Sequence, residues 1–174
     1  MRKIYILASI ALSLSAGGLK VEPVTDREMV QACEKCHFVY QAEFLPERSW
    51  ERLFTEQNLK NHFGDEVKLS SSLREKFLDY YLKNASDSKD TKYRRKINRS
   101  IPLNSTPIRV SRVPYIHSKH EDLPKEMFLD NPKVGSYSKC NSCHDAKKGI
   151  YDEDEVHVPG WDKGFFTGWH RIDD

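Results

Sequence analysis

Two pentapeptides, Cys33-Glu34-Lys35-Cys36-His37 and Cys140-Asn141-Ser142-Cys143-His144, hold all four cysteines of the 174-residue chain. The spacing i, i+3, i+4 places two sulfurs and an imidazole on one face of a helical turn. That is the geometry a c-type haem needs: two thioether bonds to its vinyl carbons and a proximal histidine on its iron. Zinc normally takes four ligands, and a thiol redox pair needs a β-α-β context that this sequence lacks. Cys33, Cys36, Cys140 and Cys143 are therefore read as attachment points for two covalently bound haem c groups, with His37 and His144 as one axial ligand of each iron. A fold so constrained must wrap two large apolar discs.

The N-terminus supports this reading through the compartment it implies. Met1-Arg2-Lys3 precedes eleven apolar or small residues, Ile4 to Leu14, and then Ser15, Ala16, Gly17 and Gly18. A bilayer takes roughly 20 helical residues, so the run predicts a signal peptide over 1–17 and a periplasmic mature chain. No clean Ala-x-Ala motif marks the cut, and an uncleaved anchor is the alternative. Every cysteine being used for haem, none remains for a disulfide in that oxidising compartment.

Residues 18–174 then form a single domain of ordinary size. Loss of Arg2 and Lys3 leaves 26 basic and 26 acidic side chains, which haem propionates tip toward acid, so the balance gives no argument for nucleic-acid binding. With 38% hydrophobic residues and a mean hydropathy of -0.71, the polypeptide is short of apolar core. Two buried haems supply the missing volume.

The chain divides into an N-terminal haem half at about 22–84, a basic linker at about 85–113 and a C-terminal haem half at about 114–174. Thr25 or Asp26 caps a short helix that leads into the first pentapeptide. Pro46-Glu47-Arg48-Ser49 opens a second helix, which carries Trp50, Leu53 and Phe54 at helical spacing and runs past Leu59, His62 and Phe63 to a stop at Gly64. Trp50 and Phe54 are expected to wall a haem pocket. A third helix spans about Ser72 to Asn84, with Ser72-Leu73-Arg74-Glu75 as capping box and a core stripe of Leu73, Phe77, Tyr80 and Tyr81. The linker, with Lys92, Arg94, Arg95, Lys96 and Arg99 between turn signals and Pro102 and Pro107, reads as solvated, with an anion-docking patch as the alternative. The aromatics of the tail, Trp161, Phe165, Phe166 and Trp169, are expected to pack on the core.

The open question is the second axial ligand of each iron. Met29 lies too close to Cys33 to reach around a haem, which leaves Met127 as the one other mature methionine, while His62, His117, His120, His157 and His170 are available. His62 follows His37 by 25 residues, beside the Trp50 and Phe54 helix, and is assigned to the first haem. For the second, His120 is favoured and His117, one helical turn away, competes with it. Two bis-histidine irons would be six-coordinate, closed and of comparatively low potential, suited to electron transfer and needing no general base or nucleophile.

The mature chain to about Gly160 resembles the small bacterial dihaem cytochrome c family. The resemblance rests on Cys33-x-x-Cys36-His37-Phe38-Val39-Tyr40 running into Leu45-Pro46-x-Arg48-Ser49-Trp50, on His62-Phe63-Gly64-Asp65, and on Thr106-Pro107 with His120-Glu121-x-Leu123-Pro124 ahead of the second pentapeptide. It implies a periplasmic carrier with His62 and His120 as distal ligands, membrane-bound b-type cytochromes as donors and an oxygen-binding monohaem cytochrome c as a possible acceptor. The stretch from Trp161 to Asp174 departs from the family pattern, which puts end-on docking in doubt.

The expected fold is all-α, with short helices and long irregular connections wrapped around two covalently bound c-type haems. The expected function is electron carriage without an enzymatic activity. The alternative is a haem-based gas sensor or small haem enzyme with one open iron site. Membrane association is possible but not required.

Overall fold

The computed structural model describes residues 20–164 and 168–171, so the expected signal segment lies outside the described residues. Among the described residues six short α-helices carry the fold. Helix α1 (Arg27–Cys33) begins at Asp26, whose carboxylate accepts a hydrogen bond from the Met29 amide at 3.0 Å. Helices α2 (Glu47–Leu53) and α3 (Glu56–Lys60) replace the single second helix expected from the sequence. The break falls at Thr55, whose hydroxyl accepts from the Asn58 amide and starts a new helix. Helix α4 (Ser71–Lys83) is capped by Ser70 rather than Ser72. Its stripe points inward as expected, with Phe77 and Tyr81 buried and Leu73 and Tyr80 packed against the core.

Helix α5 (Lys92–Ser100) lies inside the stretch read as a solvated linker. Its face toward the core carries Ile97, fully buried, and Arg94, 3% exposed, so the basic run is partly interior. The Arg94 guanidinium lies 3.3 Å from the Glu43 carboxylate and donates to the Ala85 carbonyl at 2.8 Å and the Ser88 hydroxyl at 2.9 Å. A buried cation persists only when it is paired and hydrogen-bonded in this way. Helix α6 (Pro114–Ser118) has proline in its first turn and packs on α5.

The main apolar core is built by the N-terminal two thirds. Phe44, Leu45, Trp50, Leu53, Phe77, Tyr81, Ile97 and Val113 are its centre. Trp50 lies 4.1 Å from Tyr81 between ring centres, and its indole N–H donates to the Ala42 and Leu45 carbonyls. These contacts make Trp50 a core residue first of all. Beyond Val113 the chain is mostly single 3-10 turns, and Met127, Phe128, Val134, Ala146 and Val158 are buried apart from that main cluster.

A short antiparallel ribbon, β1 (Trp161–Gly164) with β2 (Gly168–Arg171), pairs Trp161 with Arg171 and Gly164 with Gly168. It is a strand element in the tail that the helical expectation did not include. Phe165 and Phe166 lie outside the described residues, so the packing expected of the aromatic tail is not described there. Among the described residues no helix is long and apolar enough to cross a membrane.

Candidate haem sites

Each pentapeptide closes as one helical turn. The first continues α1: the His37 and Cys36 amides both donate to the Cys33 carbonyl at 3.2 Å. The second is the 3-10 turn Cys140–Ser142, with the His144 amide donating to the Cys140 carbonyl at 2.8 Å. Each turn thus sets its two cysteines and its histidine in the i, i+3, i+4 register that the spacing predicts.

None of the four cysteines is in a disulfide. Burial pushes the Cys33 thiol up to about 11, with neighbouring Cys36 adding to it, and the Cys140 thiol up to about 12. Redox-active Cys-x-x-Cys pairs work by the opposite shift, a thiolate stabilised near neutral pH. Nor do three or more His, Cys, Asp or Glu side chains gather among the described residues as a four-ligand zinc centre requires. The cysteines suit alkylation by a haem.

Facing each proximal histidine is one further histidine. The rings of His37 and His62 have centres 6.0 Å apart with planes at 22°. Those of His120 and His144 have centres 6.1 Å apart with planes at 83°. An imidazole nitrogen binds a first-row metal at about 2 Å, so two imidazoles in line across one metal have ring centres about 6 Å apart. Both pairs have that separation.

The hydrogen bonds around the rings prepare the nitrogens for this role. His37 Nδ1 lies 2.6 Å from the Phe38 carbonyl, and His120 Nδ1 lies 2.7 Å from the Ile116 carbonyl. A carbonyl only accepts, so Nδ1 carries the proton and Nε2 keeps a bare lone pair. Burial, reinforced by His37 and then Arg109, holds the His62 pKa below its ordinary value. Burial, reinforced by His120, takes His144 down to about 4. Both rings are neutral at neutral pH, the form that binds metal. In each pair one buried nitrogen, Nδ1 of His62 and of His144, has no partner in the polypeptide. Such atoms cost roughly 1–3 kcal/mol each unless a further group or water serves them, which fits sites built around something besides protein.

Among the described residues neither His117 nor His157 shares these ring contacts. His117 is exposed, 3.8 Å from the Glu121 carboxylate and stacked on Tyr137 at 6.1 Å. His157 is exposed. His170 lies in β2, and its side chain is outside the described set. Met29 and Met127 are both buried, at 1% exposure.

The turn after His62 and several residues that sequence reasoning passed over shape the sites. Phe63, in the left-handed region at φ 60°, turns the chain back after His62, whose amide donates to the Asp65 carbonyl at 2.7 Å. The Arg109 guanidinium lies 3.9 Å from the Phe63 ring centre. Arg109 also lines, with Arg112, His117 and Tyr137, a cavity of about 860 Å³, large enough for part of a bulky cofactor. Of its lining residues, Tyr137 packs on Phe128 at 4.1 Å, and Phe128 lies 6.1 Å from His120. Long-range hydrogen bonds tie the sites together. Tyr40 donates its hydroxyl to the Ser138 carbonyl at 2.5 Å, and Tyr151 donates to Gln41 Oε1 at 2.6 Å.

A family model described as dihaem cytochrome c matches residues 29–151, from α1 through both pentapeptides. The chain belongs to the dihaem cytochrome c family. It is similar, at 32% identity and a TM-score of 0.65, to a dihaem cytochrome c from Rhodobacter sphaeroides, with 75% of this chain and 100% of that one covered. It is also similar, at 32% identity and a TM-score of 0.61, to a dihaem c-type cytochrome from Shewanella baltica OS155, with 77% and 93% covered. No curated protein matches it. As a dihaem cytochrome c it is an electron-transfer haem protein with two haem c groups and their irons, and the all-α reading of its fold stands with the ribbon added.

Proposed function

We propose that this dihaem cytochrome c is a periplasmic electron carrier, not an enzyme, in which His37 with His62 and His144 with His120 close both irons. Cys33 and Cys36 bear the first haem, and Cys140 and Cys143 the second. The observation that carries this reading is the repeated separation of 6.0 and 6.1 Å between facing imidazoles. When bound, each haem supplies a one-electron couple between ferric and ferrous iron. The chain's own residues hold one imidazole on either side of each site and fix the His37 and His120 rings by their carbonyl bonds. With two strong ligands held in place on either side, neither iron would offer a position to a substrate.

The proposed donor is a membrane-bound b-type cytochrome, and the proposed acceptor a soluble haem protein such as an oxygen-binding monohaem cytochrome c. Export by the segment at 1–17 belongs to the same proposal. Optical spectra of the purified protein, ferric and ferrous, with and without carbon monoxide, test it. Two low-spin haems per chain, unmoved by carbon monoxide, are expected. A high-spin band that shifts with the gas would replace the carrier by a sensor or small haem enzyme with one open iron.

A further inference from the structure

The two histidine pairs match in separation and differ in orientation. His37 and His62 stand nearly parallel, at 22°, whereas His120 and His144 stand nearly crosswise, at 83°. The orientations have separate causes. The His120 plane is fixed by its Nδ1 bond to the Ile116 carbonyl at the end of α6. The His144 plane has no hydrogen bond of its own, because its Nδ1 lacks a partner. What flanks it is Tyr151, whose ring centre lies 5.3 Å from that of His144 at 47°.

Tyr151 is itself fixed. Its hydroxyl donates to Gln41 Oε1 at 2.6 Å, and the Gln41 amide donates to the Ala146 carbonyl at 2.5 Å. Gln41 is 1% exposed and sits four residues after the proximal histidine of the first pentapeptide. The Tyr151 ring also meets Phe44 edge-on at 5.1 Å. A residue beyond the second pentapeptide is thus locked by the first half of the chain and pressed against the second proximal ring.

We infer that Tyr151, anchored by Gln41, is a positioning residue that holds the His144 ring crosswise to His120 and so makes the second haem electronically unlike the first. The inference rests on the bis-histidine reading above. The reason is general ligand-field chemistry. Parallel imidazole planes act on the same one of the two iron dπ-orbitals and so split the pair, giving a low-spin ferric ion with three well-separated g-values. Crossed planes act on both orbitals alike and leave them nearly degenerate, giving one strongly anisotropic low-field signal. The polypeptide presents the first arrangement at His37 and His62 and the second at His120 and His144, so one chain carries two ferric haems distinguishable without any difference in ligand type.

Low-temperature electron paramagnetic resonance of the fully oxidised two-haem protein tests this. The expected spectrum holds two low-spin species in equal amount, one rhombic and one strongly anisotropic. His120→Ala is expected to abolish the anisotropic signal and leave the rhombic one. Tyr151→Leu is expected to move the anisotropic signal toward a rhombic one with the first haem's signal unchanged, and Tyr151→Phe, which keeps the ring but loses the bond to Gln41, to move it by less. Two rhombic species in the wild type would overturn the inference while leaving the bis-histidine reading intact. A high-spin ferric signal would instead overturn that reading. An anisotropic signal unmoved in Tyr151→Leu would remove Tyr151 from its positioning role, and if that variant fails to mature, the wild-type spectrum still decides whether the rings are crossed.

Discussion

Arg94 and Gly149 are two single residues on which much of the chain leans. Arg94 joins α5 to Glu43, in the 3-10 turn Ala42–Phe44 that follows the first pentapeptide, with both side chains less than a tenth exposed. Glu43 also accepts from the Glu22 amide at 3.2 Å. Removing the cation leaves a buried carboxylate, so Arg94→Ala is expected to destabilise the folded state by about 3 kcal/mol, read from chemical denaturation. The double replacement Arg94→Met with Glu43→Leu should recover most of that loss, since buried apolar pairs often match buried ion pairs. Gly149 has φ +73°, and a Cβ there would lie 2.0 Å from the Val21 carbonyl oxygen. Its own carbonyl accepts from the Val21 amide at 2.9 Å, pinning the N-terminal strand beside the second pentapeptide. Gly149→Ala combines a left-handed backbone with a backbone collision, and a loss of about 2 kcal/mol or more is expected in the same assay. Neither residue announced itself in the sequence. Arg94 hid in a run of cations whose usual place is the surface, and its partner lies about fifty residues earlier.

At the scale of elements, legibility followed the range of the interaction that makes each element. Helix α1 and its cap at Asp26 were readable because an N-cap is a local bond across three residues. The break between α2 and α3 was missed because Thr55 looks like an ordinary interior position until its hydroxyl is seen to serve Asn58. The stripe of α4 was readable from its period, but its cap slid from Ser72 to Ser70 within a serine run that offers three equivalent starts. Helix α5 was lost to the flanking turn signals, and the β1–β2 ribbon to the absence of an alternating apolar pattern. Asp26 gives a test at this scale. Its pKa lies below the ordinary aspartate value of 3.8, chiefly through its hydrogen bond with Lys76, whose ammonium is 2.8 Å away, and then through the Met29 amide. A carboxylate depressed in the folded state contributes stability above its unfolded pKa and loses it as the pH falls through the lower native value. Asp26→Ala is therefore expected to cost about 1 kcal/mol at neutral pH, mostly as lost capping, with the difference from wild type closing below about pH 4. Thermal unfolding of both proteins across pH 3 to 7 checks it.

On the scale of the whole molecule, the polypeptide and the haems divide the task of filling the interior. The main core spans Val21 to Val113, and the segment beyond it is held by short turns and by bonds such as Tyr40 to Ser138 and Tyr151 to Gln41. Those bonds join residues about a hundred positions apart, which is why the arrangement of the two sites was not legible although the two pentapeptides were. Protein made without haem maturation is expected to lose most of its far-ultraviolet helical signal, because the remaining apolar burial is too small to offset chain entropy. Retention of full helicity would show that the polypeptide core suffices alone. The account turns on which ligands hold the two irons. Near-infrared magnetic circular dichroism of the ferric protein reports the axial pair of each low-spin haem. A single charge-transfer band at the bis-histidine energy, with the intensity of two haems, is the predicted result, whereas a histidine-methionine band or a high-spin contribution from either haem would contradict it.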